Sequence, residues 1–487
     1  MWKYFLVLEN TFILRAKRKR KENRVMGKYR GLYLLSFMVF LLFSQVSFAH
    51  AAEPIEEVRD LIKQYYVEEV PESYLSKSTI KEITDQLDPY TLYMSKQEYT
   101  DFSNAINQEL VGIGVVIEEH EKGVVVLQVI PNGPAEQAGL VAGDIITEIN
   151  GESLQGESVQ TAISYIKGET DSPLTINFIQ AATGESVSKT LVRKDIALPI
   201  VEVDMLGGQI GYIRLNSFSL DAADKVAGAI QSLASAKGYI FDLRDNGGGY
   251  VSSAQDIIGL FPNAENAFQL RNRIGVPEIY KSIQQATQFT EPVHMLINGN
   301  SASASEMVAA SIKEHEAATL YGQTSYGKGS MQGFFWLGNG NVLKMTTAKF
   351  YTVQGTEINK IGVKPKVITE TGKELAVSHR DHLLREYRAY KQLPLLKDVP
   401  TTKTFTVKMN REIKWEEASR KNVQLIQLGG REIPVELELI DGKTIQVKPK
   451  ELLQSGETYL LLVHQNWKGK GNEVMKTGNY LEVTVGK

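Results

Sequence analysis

The chain has 487 residues, more than one hydrophobic core usually organises, so about three domains are expected. A net charge of −3, with 43% hydrophobic and 23% charged residues, leaves no basic footprint for nucleic acid and no global attraction to an anionic membrane. There is no cysteine, which excludes disulfides, thiolate metal sites and a cysteine nucleophile, and the seven histidines never form His-Glu-x-x-His, so a zinc protease of that kind has no support.

The amino terminus reads as an address. Lys28 and Arg30 precede an apolar run from Gly31 to Phe43, and Ala49-His50-Ala51 supplies a cleavage position. Residues 1–51 are expected to be a signal peptide, with Met26 as an alternative start because the basic cluster Lys17 to Lys21 is odd ahead of one. The run falls short of the roughly 20 apolar residues of a membrane span; an uncleaved anchor helix reaching Phe48 is the alternative. Either way the working part is expected outside the cytoplasm, secreted or associated with membrane or cell wall.

Residues 52–108 carry Val58, Ile62 and Tyr65 at helical spacing and end in Leu87-Asp88-Pro89-Tyr90, a small helical region without evident chemistry. From 109 to 192 the pattern changes. Val111–Ile117 and Gly123–Val129 are strand-like, Pro131–Leu140 is a turn plus a short helix, and Gly143–Gly151 is a strand with a tight turn. Val159, Ala162, Ile163 and Ile166 then mark an amphipathic helix. Gly112-Ile113-Gly114, Pro134-Ala135, Ala138-Gly139, Gly143-Asp144 and Ile149-Asn150-Gly151 together resemble a PDZ domain. Such domains take a peptide as an added strand and hold its terminal carboxylate on backbone N–H groups. The resemblance assigns that loop to Gly112, Ile113 and Gly114, where a lone Gly-x-Gly would be only a tight turn.

Residues 193–370 alternate strands with helices, an α/β pattern. Gly211–Leu215 and Gly238–Leu243 read as strands around a helix at 221–234, Arg244–Gly249 as a flexible loop, and Val293–Ile297 as a strand running into Ser301-Ala302-Ser303-Ala304-Ser305-Glu306. Lys328 lies 25 positions beyond the middle serine, between Gly327 and Gly329. A serine hydroxyl needs a base, and a lysine can be one only where an apolar pocket disfavours its charged form. Tyr326, Met331, Phe334, Phe335 and Trp336 are the candidate walls of that pocket, and a Ser–Lys dyad is an established arrangement for nucleophilic catalysis. Ser301 and Ser305 remain alternative nucleophiles.

Two other patterns overlap this one. Ser303 to Glu306 spells a capping box, so Ser303 could serve only as a helix cap; the roles are compatible, because a helix N-terminus offers free N–H groups to a developing oxyanion. Gly322–Lys328 fills the first seven positions of a P-loop, but Gly329 stands where Ser or Thr should hold magnesium, and the following residues read as a strand. The hydrolase elbow Gly-x-Ser-x-Gly breaks at Ser303. Residues 371–399 read as a polar connector with a helix at 379–391. Residues 400–487 alternate at period two, as in Phe405/Val407/Met409 and Tyr459/Leu461/Val463, and look like a bacterial Ig-like β-sandwich with no catalytic residue.

The expected fold class is thus multidomain α+β: a helical N-terminal region, a PDZ domain, an α/β protease core and a C-terminal β-sandwich. Ser301–Glu306, Tyr326–Gln332, Asp242–Gly249, the PDZ pattern and the export signal together resemble the carboxyl-terminal processing peptidases over about residues 55–370. The resemblance implies Ser303 as nucleophile, Lys328 as general base and Gln332 as the residue that orients the lysine. It implies an oxyanion hole of the Ala304 N–H with that of Gly248 or Gly249; Gly247 stands where relatives often have proline. It further implies an exported serine endopeptidase that cleaves proteins near their C-termini through an acyl-enzyme, with the PDZ domain as receptor or gate and no metal or other cofactor. The expected partners are protein or peptide substrates taken through their C-terminal segments, with no nucleic acid; membrane or cell-wall association and a homodimer stay open. The Ig-like tail is outside the usual family pattern. The competing class is a non-catalytic PDZ scaffold with a degenerate protease core.

Overall fold

The computed structural model of the protein describes residues 54–415 and 422–487. The expected signal segment and the alternative start at Met26 lie outside the described residues.

The first helix, Ile55–Tyr65, turns Val58 and Ile62 inward, both without exposed surface. Thr79 and Ser95 form capping boxes with Glu82 and Glu98, which start the helices Ile80–Thr84 and Lys96–Ile106. Between them, the strand Leu92–Met94 pairs antiparallel with Val342–Tyr351. The N-terminal apolar residues pack on Leu337, Leu343 and Met345, so this region adds a strand and a layer to a distant part of the chain.

The next module is a six-stranded antiparallel sheet in which Val115–His120 is an edge strand paired with Gly123–Val129. The expected strand at 111–117 is two strands broken at Ile113-Gly114, where Gly114 adopts φ +79°. The chain enters and leaves this module side by side, because Glu109–Gly112 pairs with Lys194–Ala197.

The central sheet runs Val201–Leu206, Ile210–Leu215, Gly238–Asp242, Val293–Ile297, Ala318–Gly322 and Val367–Ile368. Its first pair is antiparallel and the rest are parallel. All five residues of Gly238–Asp242 are buried, Tyr239 and Phe241 in one apolar cluster and Ile240 in another, as expected of a parallel strand covered on both faces. The helices Ala222–Ser232, Val251–Ile258 and Ala304–Glu314 contribute to the first cluster. The helix Glu374–Glu386 contributes Leu383 to the second. This helix begins five residues before the expected 379–391. Its buried face of Ser378, His379, His382 and Leu383 fixes the span, and Lys391–Gln392 is already strand.

A second, five-stranded sheet places Val342–Tyr351 between Ser330–Trp336 on one side and Leu92–Met94 and Asn266–Arg271 on the other. The chain beyond 390 forms a six-stranded and a three-stranded sheet around a shared core that includes Phe405, Leu425, Val447, Tyr459 and Val483. Ile426, Leu428, Leu460 and Leu462 pack instead against Leu206, Ile210 and Leu383, so this tail backs the central sheet. The approach is close: a Cβ at Gly207 would lie 2.5 Å from Ile426.

Three histidines lie in this rear layer. His294 and His382 stack with ring centroids 3.6 Å apart, and His379 Nε2 sits 2.8 Å from Gly207 O. Burial is the main cause that lowers His294 and His379 to about 4 and His382 to about 3, from an ordinary 6.5. The folded rings stay neutral where the unfolded chain would protonate. Stability therefore falls as pH drops from about 6.5 toward 4, at up to about 1.4 kcal/mol per pH unit for each proton taken up by the unfolded chain. Thermal melts between pH 7 and pH 4.5 should show this loss, and His294→Gln should flatten it.

Candidate active site

The strand Val293–Ile297 delivers the serine segment to the C-terminal edge of the central sheet, where open α/β sheets form their binding crevices. The three serines separate by burial. Ser301 and Ser305 are both 0% exposed, and their hydroxyls donate to Leu243 O and Asn246 O, each at 2.8 Å. Ser303 is part-exposed, its side chain makes no cap hydrogen bond, and it lines a cavity of about 430 Å³ that also holds Lys328. Its backbone sits at φ 57° and ψ −114°, a conformation that costs a residue with a side chain about 1–3 kcal/mol and persists where the surroundings over-determine it.

Glu306 supplies those surroundings. It is 0% exposed, and its Oε2 accepts the Ser303 N–H at 2.9 Å and the Lys328 N–H at 2.8 Å. Its Oε1 accepts the Ser325 hydroxyl and the Gly327 N–H, each at 2.6 Å. One carboxylate thus fixes the serine turn and the lysine loop together. The glycines beside Lys328 serve close packing: Gly327 adopts φ +89°, and a Cβ at Gly329 would lie 2.4 Å from Asn359 N. The strand Ser330–Trp336 follows, where a P-loop would open a helix.

Lys328 Nζ lies over the Tyr90 ring, 4.9 Å from its centroid. Burial is the largest cause that lowers this lysine to about 8; the Lys344 charge adds to the effect, and Glu306 and Asp88 oppose it. The expected aromatic wall forms only in part. Met331 and Phe334 line the cavity, but Tyr326 and Trp336 are 60% and 54% exposed, and Phe335 packs on Tyr65. Strand alternation turns Phe335 away from the face of Phe334, whereas Trp336 shares that face but stands at the strand's end against Tyr99. Tyr90, Phe102 and Ile106 complete the surroundings, so the N-terminal region expected to lack chemistry contributes to the site.

Gln332 lines the same cavity, and its Nε2 donates to Ser330 Oγ at 3.0 Å and Thr346 Oγ1 at 3.2 Å rather than meeting Lys328. The Arg244–Gly249 segment, expected to be a flexible loop, is pinned. Asp245 Oδ1 accepts from Asn298 and Asn300 at 2.8 and 2.9 Å, Asn246 O accepts the Ala302 N–H at 3.0 Å, and the Asn246 side chain reaches Leu215 O at 2.7 Å. Gly248 presses on the serine turn, where a Cβ would lie 2.9 Å from Ala304 N and from Ser303 Cβ. Its N–H donates to Asn246 Oδ1 at 2.9 Å, whereas those of Gly249 and Ala304 make no hydrogen bond among the described residues.

Lys344 is a further charged cavity residue that the sequence pattern did not single out. It is 8% exposed, and its Nζ lies 4.6 Å from the Phe102 ring centroid. A lysine between Leu343 and Met345 in a strand with every near neighbour buried was the available signal. In the preceding module, Ile113 has no exposed surface, and the carbonyls of Ile113 and Gly114 accept from Ala135 and Ile130 at 2.8 and 2.9 Å. The N–H groups of Ile113 and Gly114 make no hydrogen bond among the described residues and precede the edge strand Val115–His120.

Residues 209–369 match peptidase family S41, and residues 125–192 match a PDZ domain. The chain is similar to the carboxy-terminal processing protease CtpA of Bacillus subtilis, at 32% identity over 322 residues that cover 65% of this chain and 69% of that protein. It is 30% identical to the carboxy-terminal-processing protease of Bartonella bacilliformis over 322 residues, 64% of this chain and 74% of that one. A solved structure of a photosystem II D1 C-terminal processing protease aligns over 68% of this chain and 96% of its own, at 24% identity and a TM-score of 0.45.

Gly248→Ala places a methyl group against Ala304 N and the Ser303 side chain at a backbone angle unsuited to alanine, φ +102°. If the Ala304 N–H is the oxyanion donor that the sequence resemblance implies, the expected outcome is a fall in kcat of roughly 10²–10³, with a cooperative thermal melt retained. Steady-state kinetics beside calorimetry check it.

Proposed function

Because the chain belongs to the carboxy-terminal processing proteases of peptidase family S41 and is a serine-type peptidase, we propose that it is an exported endopeptidase in which Ser303 is the nucleophile and Lys328 the base. One observation carries this reading: of the three serines, Ser303 alone has its side chain in the cavity that holds Lys328, and the other two hydroxyls are spent on buried carbonyls.

Ser303 Oγ attacks the scissile carbonyl as neutral Lys328 takes its proton. The oxyanion is received by the Ala304 N–H at the helix start and by the Gly249 N–H; the bond from Gly248 N–H to Asn246 favours Gly249 over its neighbour. The C–N bond breaks as Lys328 returns the proton to the leaving amine, and an acyl-Ser303 ester remains. Water then adds to the ester with its proton passing to Lys328, the carboxylic product leaves, and Ser303 regains its proton. Gln332 steadies the lysine by a modest side-chain movement away from Ser330 and Thr346.

Substrates enter by their C-terminal segments. The edge strand Val115–His120 accepts a peptide as an added strand, and the open N–H groups of Ile113 and Gly114 take its carboxylate. Export rests on the signal-like residues 1–51; among the described residues no helix is long and apolar enough to cross a membrane. The tail is an Ig-like module that backs the central sheet.

Ser303→Ala is expected to lose both hydrolysis and covalent labelling by a fluorophosphonate while its melting temperature stays close to wild type; labelling at Ser305 would overturn the assignment. The base must be neutral in the free enzyme, so kcat/KM should rise with pH through about 8. Lys328→Arg, whose charge cannot be lost at usable pH, should be inactive throughout. A substrate peptide amidated at its C-terminus should show weaker binding than its free acid in a fluorescence-anisotropy titration, with equal binding counting against Ile113 and Gly114 as carboxylate readers.

A further inference from the structure

The active cavity holds two amines. Lys344 stands on the strand Val342–Tyr351, directly opposite Phe334 of the strand that follows Lys328, and both lysines line the same space as Ser303. Neither forms an ion pair among the described residues; each head lies instead over an aromatic ring, Lys328 over Tyr90 and Lys344 over Phe102. Two ammonium groups confined in one partly dry cavity repel, and the cheapest relief is for one of them to give up its proton.

We propose that Lys344 is a positioning residue for the hydrolytic reaction, a second cavity cation that keeps Lys328 in the neutral form a base requires. The inference rests on Lys328 being that base. Its neighbours set the balance. Glu306 and Asp88 favour a charged Lys328. Both carboxylates are already engaged, Glu306 by its hydrogen-bond donors and Asp88 by Tyr90 N–H and the Thr91 hydroxyl at 2.8 and 3.0 Å. Asp245 and Tyr250 line the cavity as well, and Asp245 is held by two asparagines. Tyr90 and Tyr326 complete the ionisable surroundings, and burial raises the Tyr90 phenol. Lys344 is the one cationic neighbour in this set, and its charge acts on Lys328 in the same direction as burial; burial lowers Lys344 as well, and the Asp88 charge opposes that loss of its proton. Pairing a nucleophile's base with a retained cation divides the roles between two like groups.

The test is the pH profile of kcat/KM, and of the rate of fluorophosphonate labelling at Ser303, for wild type, Lys344→Met and Lys344→Arg. Lys344→Met keeps the aliphatic stem and removes the charge. Its rising limb should move up by about one pH unit, giving roughly a tenfold loss at pH 7 that disappears at high pH. Lys344→Arg keeps the charge and should keep the wild-type limb. An unshifted limb in a cooperatively melting Lys344→Met, or a loss equal at every pH, would overturn the proposal. If Lys344→Met does not fold, Lys344→Gln is read by the same criteria. A wild-type profile without a rising limb, together with an active Lys328→Arg, removes Lys328 as base, and that failure is distinct because it appears before Lys344 is touched.

Discussion

A single buried carboxylate organises the candidate site. Glu306 has no exposed surface, and its charge is met by the N–H groups of Ser303, Gly327 and Lys328 and the Ser325 hydroxyl rather than by an ion pair. A buried charge is tolerated only when such bonds are made. Here they belong to two loops, which the Tyr326 N–H to Ser301 O bond at 3.0 Å also joins, so the carboxylate and the geometry of the site require one another. The helix that carries Glu306 begins at Ala304, and its free N-terminal dipole favours the same negative charge. The strained Ser303 backbone is therefore a product of this clamp.

The second constraint lies behind the glycine loop. Asp242, with no exposed surface, is bound by Arg244 at 2.6 Å and by the Tyr212 hydroxyl at 2.7 Å, and Arg244 continues to Glu374 at 2.9 Å. That network joins the end of a central strand to the start of the helix on the opposite face. The loop from Arg244 to Gly249 is thus held from below by ions and from above by Asn298, Asn300 and Ala302.

Much of this was legible in the chain. The serine and lysine segments, the Gly112–Gly114 loop and the period-two tail are local patterns, and local patterns survive folding because short-range sterics and periodicity produce them. The cavity walls were not legible. Tyr90, Phe102 and Lys344 reach the site through a strand pairing between Leu92–Met94 and Val342–Lys344, a register that no local pattern announces. Phe335 and Trp336 looked like pocket walls by proximity in sequence, yet Phe335 lies on the other side of its strand, against Tyr65. The glycine run gave no sign that Asn246 would take one of its N–H groups. The connector helix was displaced because its polar sequence hides a face of buried histidines.

The tail's strand order has a consequence for biogenesis. Asn479–Val485 is an interior strand, paired with Thr458–Val463 on one side and with residues of 391–399 on the other. The sheet cannot close before that strand has been synthesised. Until then, Leu206 and Ile210 lack the covering residues Ile426, Leu460 and Leu462. The rear of the central sheet is therefore among the last of these surfaces to dry as a chain emerges amino terminus first.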